Sequence, residues 1–183
     1  MKRLLPALAA LLLAACAGPA PRPSAPISGE QFNIQARFAL KTLGPDAKSL
    51  SGRLDWQHQP GSDALLFATP TGQGVAELQR NADGLTLRDS QGRQRHSRDP
   101  APLLRELVGY PLPLERLAGW LLGRPDPDSR HQLDNQGRLA RLFHDGWQID
   151  YFYDDDQPAA LPARLTLQRD NELELRLRIE SWQ

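Results

Sequence analysis

The stretch "LELRLRIESW", residues 173–182, places an aliphatic side chain at every second position. Leu173, Leu175, Leu177 and Ile179 alternate with Glu174, Arg176, Arg178 and Glu180. A period of two is the period of a strand, with one face toward a core and the other toward water. Working backward, "ARLTLQRD" (163–170), "GWQIDYFY" (146–153) and "GRLARLF" (137–143) have the same character. So do "RFALK" (37–41), "SGRLDWQHQ" (51–59), "GVAELQR" (74–80) and "GLTLRDS" (84–90), while "DALLFATP" (63–70) is more continuously apolar. In the second of these, Leu54 and Trp56 share one face, and Arg53, Asp55 and Gln57 share the other. The joining segments are rich in Asp, Asn, Gly and Pro, such as Gly44-Pro45-Asp46 and the hairpin signal Asn81-Ala82-Asp83-Gly84. This pattern predicts an antiparallel sheet with one apolar and one wet face.

The middle of the chain changes period. Leu103, Leu104, Leu107 and Val108 fall on one helical face. Asp99 is placed to cap that helix, Pro100 suits its first turn, and Gly109 ends it. A second helix starts near Pro113, with Leu114, Leu117, Ala118 and Leu121 as its stripe and Gly123 and Pro125 as its stop. The fold class is therefore α+β and mainly β, with the helix stripes free to cover the apolar face of the sheet.

The amino terminus reads as an address. Lys2 and Arg3 precede an apolar run from Leu4 to Ala15, and small residues follow. Twelve helical residues span about 18 Å against a hydrocarbon core of about 30 Å, too short for a membrane span. Cys16 is the only cysteine, so neither a disulfide nor a thiol-rich metal site is expected. Leu13-Ala14-Ala15-Cys16 resembles the bacterial lipobox, whose cysteine is acylated after cleavage. Ala17, rather than aspartate, follows it, and that resemblance implies sorting to the outer membrane. The expected organisation is a signal peptide over 1–15, a Pro- and Ala-rich tether over 16–30 and one domain over 31–183. Without Lys2 and Arg3 the chain keeps 20 basic residues against 22 acidic, a net charge of about −2 that argues against nucleic-acid binding.

No phosphate loop, HExxH, GxSxG or CxxC motif is present. His58, His96, His131 and His144 lack metal-ligand spacing and read as exposed strand or loop residues. Asp154-Asp155-Asp156 reads as a solvated turn, with a calcium site as the alternative. "GRQRHSR" (92–98) reads as a soluble loop, with a lipid-headgroup contact as the alternative. The four tryptophans, Trp56, Trp120, Trp147 and Trp182, suit either a core or a pocket for long aliphatic groups.

The lipobox, "SGRLDWQ" (51–57), the Pro-x-Gly loop at 70–72, "PLPLERLAGWLLGRP" (111–125), "GRLA" (137–140), "GWQIDY" (146–151) and the final Trp182 occur in an order that resembles the outer-membrane lipoprotein receptor family LolB. The resemblance implies an open antiparallel half-barrel with short helices as a lid over an apolar concave cavity. It implies a monomeric receptor anchored by Cys16 that takes triacylated lipoproteins from the periplasmic carrier LolA, with no enzymatic step and no cofactor. Trp56, Trp120, Trp147 and Trp182 match the family's aromatic positions, and Leu54, Leu117 and Leu121 join them by strand and helix phase. Pro70, Thr71 and Gly72 match the family's membrane-delivery loop, where the middle residue is often leucine. Two functions of other classes stand beside this one: a structural envelope lipoprotein that binds no acyl chain, and a lipid-modifying enzyme.

Overall fold

The computed structural model describes residues 30–43 and 47–183. The Gly-Pro-Asp turn at 44–46, the expected signal, Cys16 and all of the expected tether but Glu30 lie outside the described residues. Eleven strands form one antiparallel sheet. The first six are β1 (Phe32–Thr42), β2 (Ser49–Gln59), β3 (Ser62–Ala68), β4 (Gly74–Asn81), β5 (Gly84–Asp89) and β6 (Gln94–Ser97). Two helices follow, α1 (Pro100–Val108) and α2 (Leu114–Leu121). The last five strands are β7 (Arg130–Leu133), β8 (Leu139–His144), β9 (Trp147–Phe152), β10 (Arg164–Arg169) and β11 (Leu173–Trp182).

The strand order is β6-β5-β4-β3-β2-β1-β11-β10-β9-β8-β7. Two meanders therefore meet where β1 pairs with β11, and the sheet ends in edges at β6 and β7. The chain leaves one edge at β6 and re-enters at the other edge, β7, so both helices lie on the crossing between them. Consecutive α2 residues report the curvature. Glu115 bonds Arg80 of β4, while Arg116 bonds His144 of β8. Those strands are seven spacings apart, about 34 Å if the sheet were flat. The sheet must curl around α2 for neighbouring side chains to reach both.

Alternation sets the faces as expected. In β11, Leu173, Leu175, Leu177 and Ile179 are buried, and Arg176, Arg178 and Glu180 are exposed. The Asp99 carboxylate accepts from the Ala101 N–H at 3.0 Å, and Gly109 closes α1 in the left-handed region at φ 84. Gly84 ends the hairpin after Asn81 at φ 131, and a Cβ there would lie 2.3 Å from the Ser97 carbonyl oxygen. A side chain at Gly84 would push β6 off the sheet.

Two expectations need correction. Residues 94–97 form an edge strand, not a loop, since β6 pairs with β5 from Leu85↔Ser97 to Arg88↔Gln94. His58 and His144 are not exposed: both are half-buried and hydrogen-bonded. Asp154 faces solvent in the β9–β10 connection, and its carboxylate sits 3.7 Å from Arg164. Among the described residues no group of three His, Cys, Asp or Glu is placed to hold a metal.

Candidate functional site

The apolar concave face is present, and the helix stripes fill it. Leu103, Leu104 and Val108 of α1, and Leu114, Leu117, Ala118, Trp120 and Leu121 of α2, join the inward residues of the sheet in one cluster. Each such side chain gains about 1.5–3 kcal/mol on burial, so apolar contact is the main force holding the helices down.

Six of the seven expected lining residues meet here. Leu54 and Trp56 come from β2, Leu117, Trp120 and Leu121 from α2, and Trp147 from β9, all buried. Trp120 and Trp147 pack with ring centres 5.6 Å apart, and Tyr110 meets Trp147 edge-on at 6.0 Å. The seventh, Trp182, is only partly buried and lies at the margin. It donates from Nε1 to the Pro162 carbonyl and stands edge-on to Phe32, which also meets Trp56 edge-on. Among the described residues two buried side-chain polar atoms have no hydrogen-bond partner, the Ser181 hydroxyl and the hydroxyl of Tyr151, a residue of this core. Burial raises the pKa of the Tyr151 hydroxyl, so it stays a neutral donor.

Two polar clusters, missed in the sequence, flank the lid. In the first, the buried carboxylate of Asp63 accepts from Trp56 Nε1 at 2.8 Å and from Arg80 Nε at 2.6 Å, and meets His58 Nδ1 at 2.6 Å. Arg80 then reaches Glu115 of α2 at 2.8 Å. In the second, Trp120 Nε1 donates to Asp126 at 2.7 Å, and Arg116 donates to His144 Nε2 at 2.6 Å. On α1, Arg95 of β6 pairs with Glu106, and its guanidinium holds that carboxyl below the ordinary range. Lys48 Nζ donates to the Glu106 carbonyl at 2.6 Å.

The two ends of the first cluster differ in burial. The Asp63 side chain is fully buried, whereas Glu115 is 79% exposed. The sheet side of the clasp is buried and the lid side is wet, and an exposed ion pair contributes at most about 1 kcal/mol. Beside this clasp, a cleft of about 360 Å³ opens between α2 and the β2–β3 turn. Its walls include His58, Arg80 and Glu115, and its floor is Ala118 and Leu122.

The expected delivery loop projects between β3 and β4. Pro70, Thr71 and Gly72 are exposed. The turn is closed by Thr69 N–H to the Gln73 carbonyl and Gly72 N–H to the Thr69 carbonyl, and the Thr69 and Thr71 hydroxyls lie 2.9 Å apart.

The family model of the outer membrane lipoprotein LolB matches residues 30–182. The outer-membrane lipoprotein LolB of Dechloromonas aromatica is 45% identical over 153 residues, covering 82% of this chain and 80% of its own. That of Thiobacillus denitrificans is 39% identical over 177 residues, covering 93% and 91%, and that of Yersinia pestis 34% over 200 residues, covering 98% and 94%. In fold, the chain is similar to a solved domain from Vibrio parahaemolyticus described as an outer membrane lipoprotein-sorting protein domain. That likeness has a TM-score of 0.52 at 13% identity, over 85% of this chain and 86% of the other. On the family match and these identities, the chain belongs to the family of the outer-membrane lipoprotein LolB.

Proposed function

We propose that this chain is the outer-membrane receptor that accepts triacylated lipoproteins from the periplasmic carrier LolA and passes them into the membrane. Acyl chains enter between the helices and the inner face of the sheet. The observation that carries this reading is the single apolar cluster of Leu54, Trp56, Leu117, Trp120, Leu121 and Trp147, covered by helices clasped at their rim by exposed polar groups. Each methylene kept from water is worth about 0.8 kcal/mol, so three long chains cost tens of kcal/mol to expose. Such cargo needs a shield throughout its crossing.

The helices act as the lid. They exchange their own apolar contacts for contacts with the cargo, so opening is offset by what replaces them. The exposed Glu115 and Glu106 ends of the clasps are regained in water at little cost. The unmatched Tyr151 hydroxyl supports the same reading, because it is free to donate to a carbonyl at the head of an acyl chain. Transfer then runs downhill, with affinity rising from carrier to receptor to bilayer, and no bond is made or broken. One chain supplies the whole face, so a monomer suffices. Mixing this chain with a carrier–lipoprotein complex tests the reading: cargo will move to it. Cargo that stays on the carrier would favour a scaffolding role.

Variants at two positions separate anchor from cavity and tip. Cys16→Ala will lose lipidation by mass spectrometry yet unfold cooperatively and accept cargo, because side chains from Phe32 to Ile179 already form one continuous apolar cluster among the described residues. A non-cooperative melt would contradict this. Thr71→Glu will slow cargo release into liposomes about fivefold, since a charge at an apolar interface is penalised. Thr71→Leu will match or exceed the parent. Uptake from the carrier will be unchanged in both, and equal release rates in all three proteins would leave the tip no role.

A further inference from the structure

Four arginines stand side by side on the outer face of the sheet. Arg53 of β2 pairs with Arg37 of β1, Arg37 with Arg178 of β11, and Arg178 with Arg164 of β10. All four are exposed. At strand spacing they form a row about 14 Å long. Like charges placed directly opposite one another destabilise a sheet. This row therefore works against the fold, in a domain of slightly negative net charge.

The charges around it do not cancel it. Glu180 accepts from Arg37 at 2.5 Å, and Asp154 lies 3.7 Å from Arg164. In the next row Arg176 adds a fifth guanidinium, paired with Glu174 at 2.8 Å. Among the described residues Arg53 and Arg178 have no anionic partner. A shallow groove of about 490 Å³ runs between Arg37, Arg164, Arg176 and Arg178. At each end the row meets something suited to an interface. Arg164 pairs with Phe152, which is 47% exposed, and the guanidinium lies 5.5 Å from its ring centre. Arg53 pairs with Ala68, the last residue before the 69–73 loop.

We infer that this arginine row docks the outer face of the sheet on the phosphates of anionic phospholipids in the membrane that carries the anchor. Guanidinium groups match phosphate oxygens two bonds at a time. Cys16 and Glu30 are fourteen positions apart along the chain, so a lipid on Cys16 keeps the domain within about 50 Å of the bilayer. This step rests on the anchor proposed above. Once the face is within a Debye length of an anionic surface, each arginine favours the docked state about fivefold, and three together about a hundredfold. Docking through this face also brings the root of the 69–73 loop toward the lipid, where release is proposed to occur.

The test uses the full lipidated chain. With Cys16 acylated, Ser51→Cys supplies the one free thiol, on the outer face two residues from Arg53. A dye attached there is quenched by acrylamide, a neutral quencher, in two kinds of vesicle: phosphatidylcholine alone, and phosphatidylcholine with one third phosphatidylglycerol. Quenching will fall several-fold in the anionic vesicles and recover at high salt. Adding Arg37→Gln, Arg53→Gln and Arg178→Gln will abolish that shielding and leave thermal stability equal or higher. Equal quenching of the parent dye in both vesicles overturns the inference, with no variant needed. Shielding by the carrier protein but not by anionic lipid also overturns it, and assigns the row to a protein partner. Flotation with both vesicle types reports the anchor separately, so failure of the anchor and failure of the row are distinct results.

Discussion

Asp63→Ala will lower the stability of the domain by about 3 kcal/mol, the largest loss expected from any single polar substitution here. Asp63 is 2% exposed, and its carboxylate is the common acceptor for Trp56 and Arg80 and the partner of His58. Removing it leaves an indole N–H and a guanidinium without their acceptor in a place where water does not replace it. Arg80 keeps Glu115, which holds the loss to the lower end of the range for broken buried pairs. For a domain of this size the melting temperature should fall by about 6–12 °C in a circular-dichroism melt. Asp63→Asn, which keeps an acceptor for Trp56, should fall less. A melt of Asp63→Ala within a degree of the parent would show that the cluster contributes nothing.

Trp120→Ala will cost about 3–5 kcal/mol, the usual loss for deleting a large buried ring. Trp120 is 1% exposed, packs on Trp147 and is tied through Asp126 to the loop after α2. The milder Trp120→Phe keeps most of the ring packing and serves as the functional probe. Acyl binding between helices and sheet must change the surroundings of Trp120, so tryptophan emission will shift on cargo uptake. That shift will be largely lost in Trp120→Phe. A shift that survives in this variant would place Trp120 in a core that the cargo never reaches.

What was legible in the sequence followed from local rules. The alternation at 173–182 yields β11 with its faces correct, and Asp99, Pro100 and Gly109 bound α1 as capping chemistry requires. The two edge strands were not legible. β6 and β7 have almost every residue exposed, so they carry no burial pattern from which a period can be read. Of the site, Leu54, Leu117 and Leu121 could be found by strand and helix phase, because each faces the core, and the four tryptophans by their match to the family's aromatic positions. The Asp63 cluster could not, because it depends on register. Asp63 meets His58 across the β2–β3 pair and Arg80 across the β3–β4 pair. The arginine row has the same cause: Arg37, Arg53, Arg164 and Arg178 are scattered in the chain and aligned only by pairing across four strands.

The most direct test of the central claim is to map where the cargo's acyl chain lies. A lipoprotein carrying a photoreactive group near the end of one acyl chain is loaded on the carrier, transferred to this protein and irradiated. Mass spectrometry then identifies the labelled residues. The account predicts label on the inner face and the underside of the lid, at Leu54, Trp56, Leu117, Trp120, Leu121 or Trp147. Label confined to the outer face of the sheet or to the 69–73 loop would contradict it.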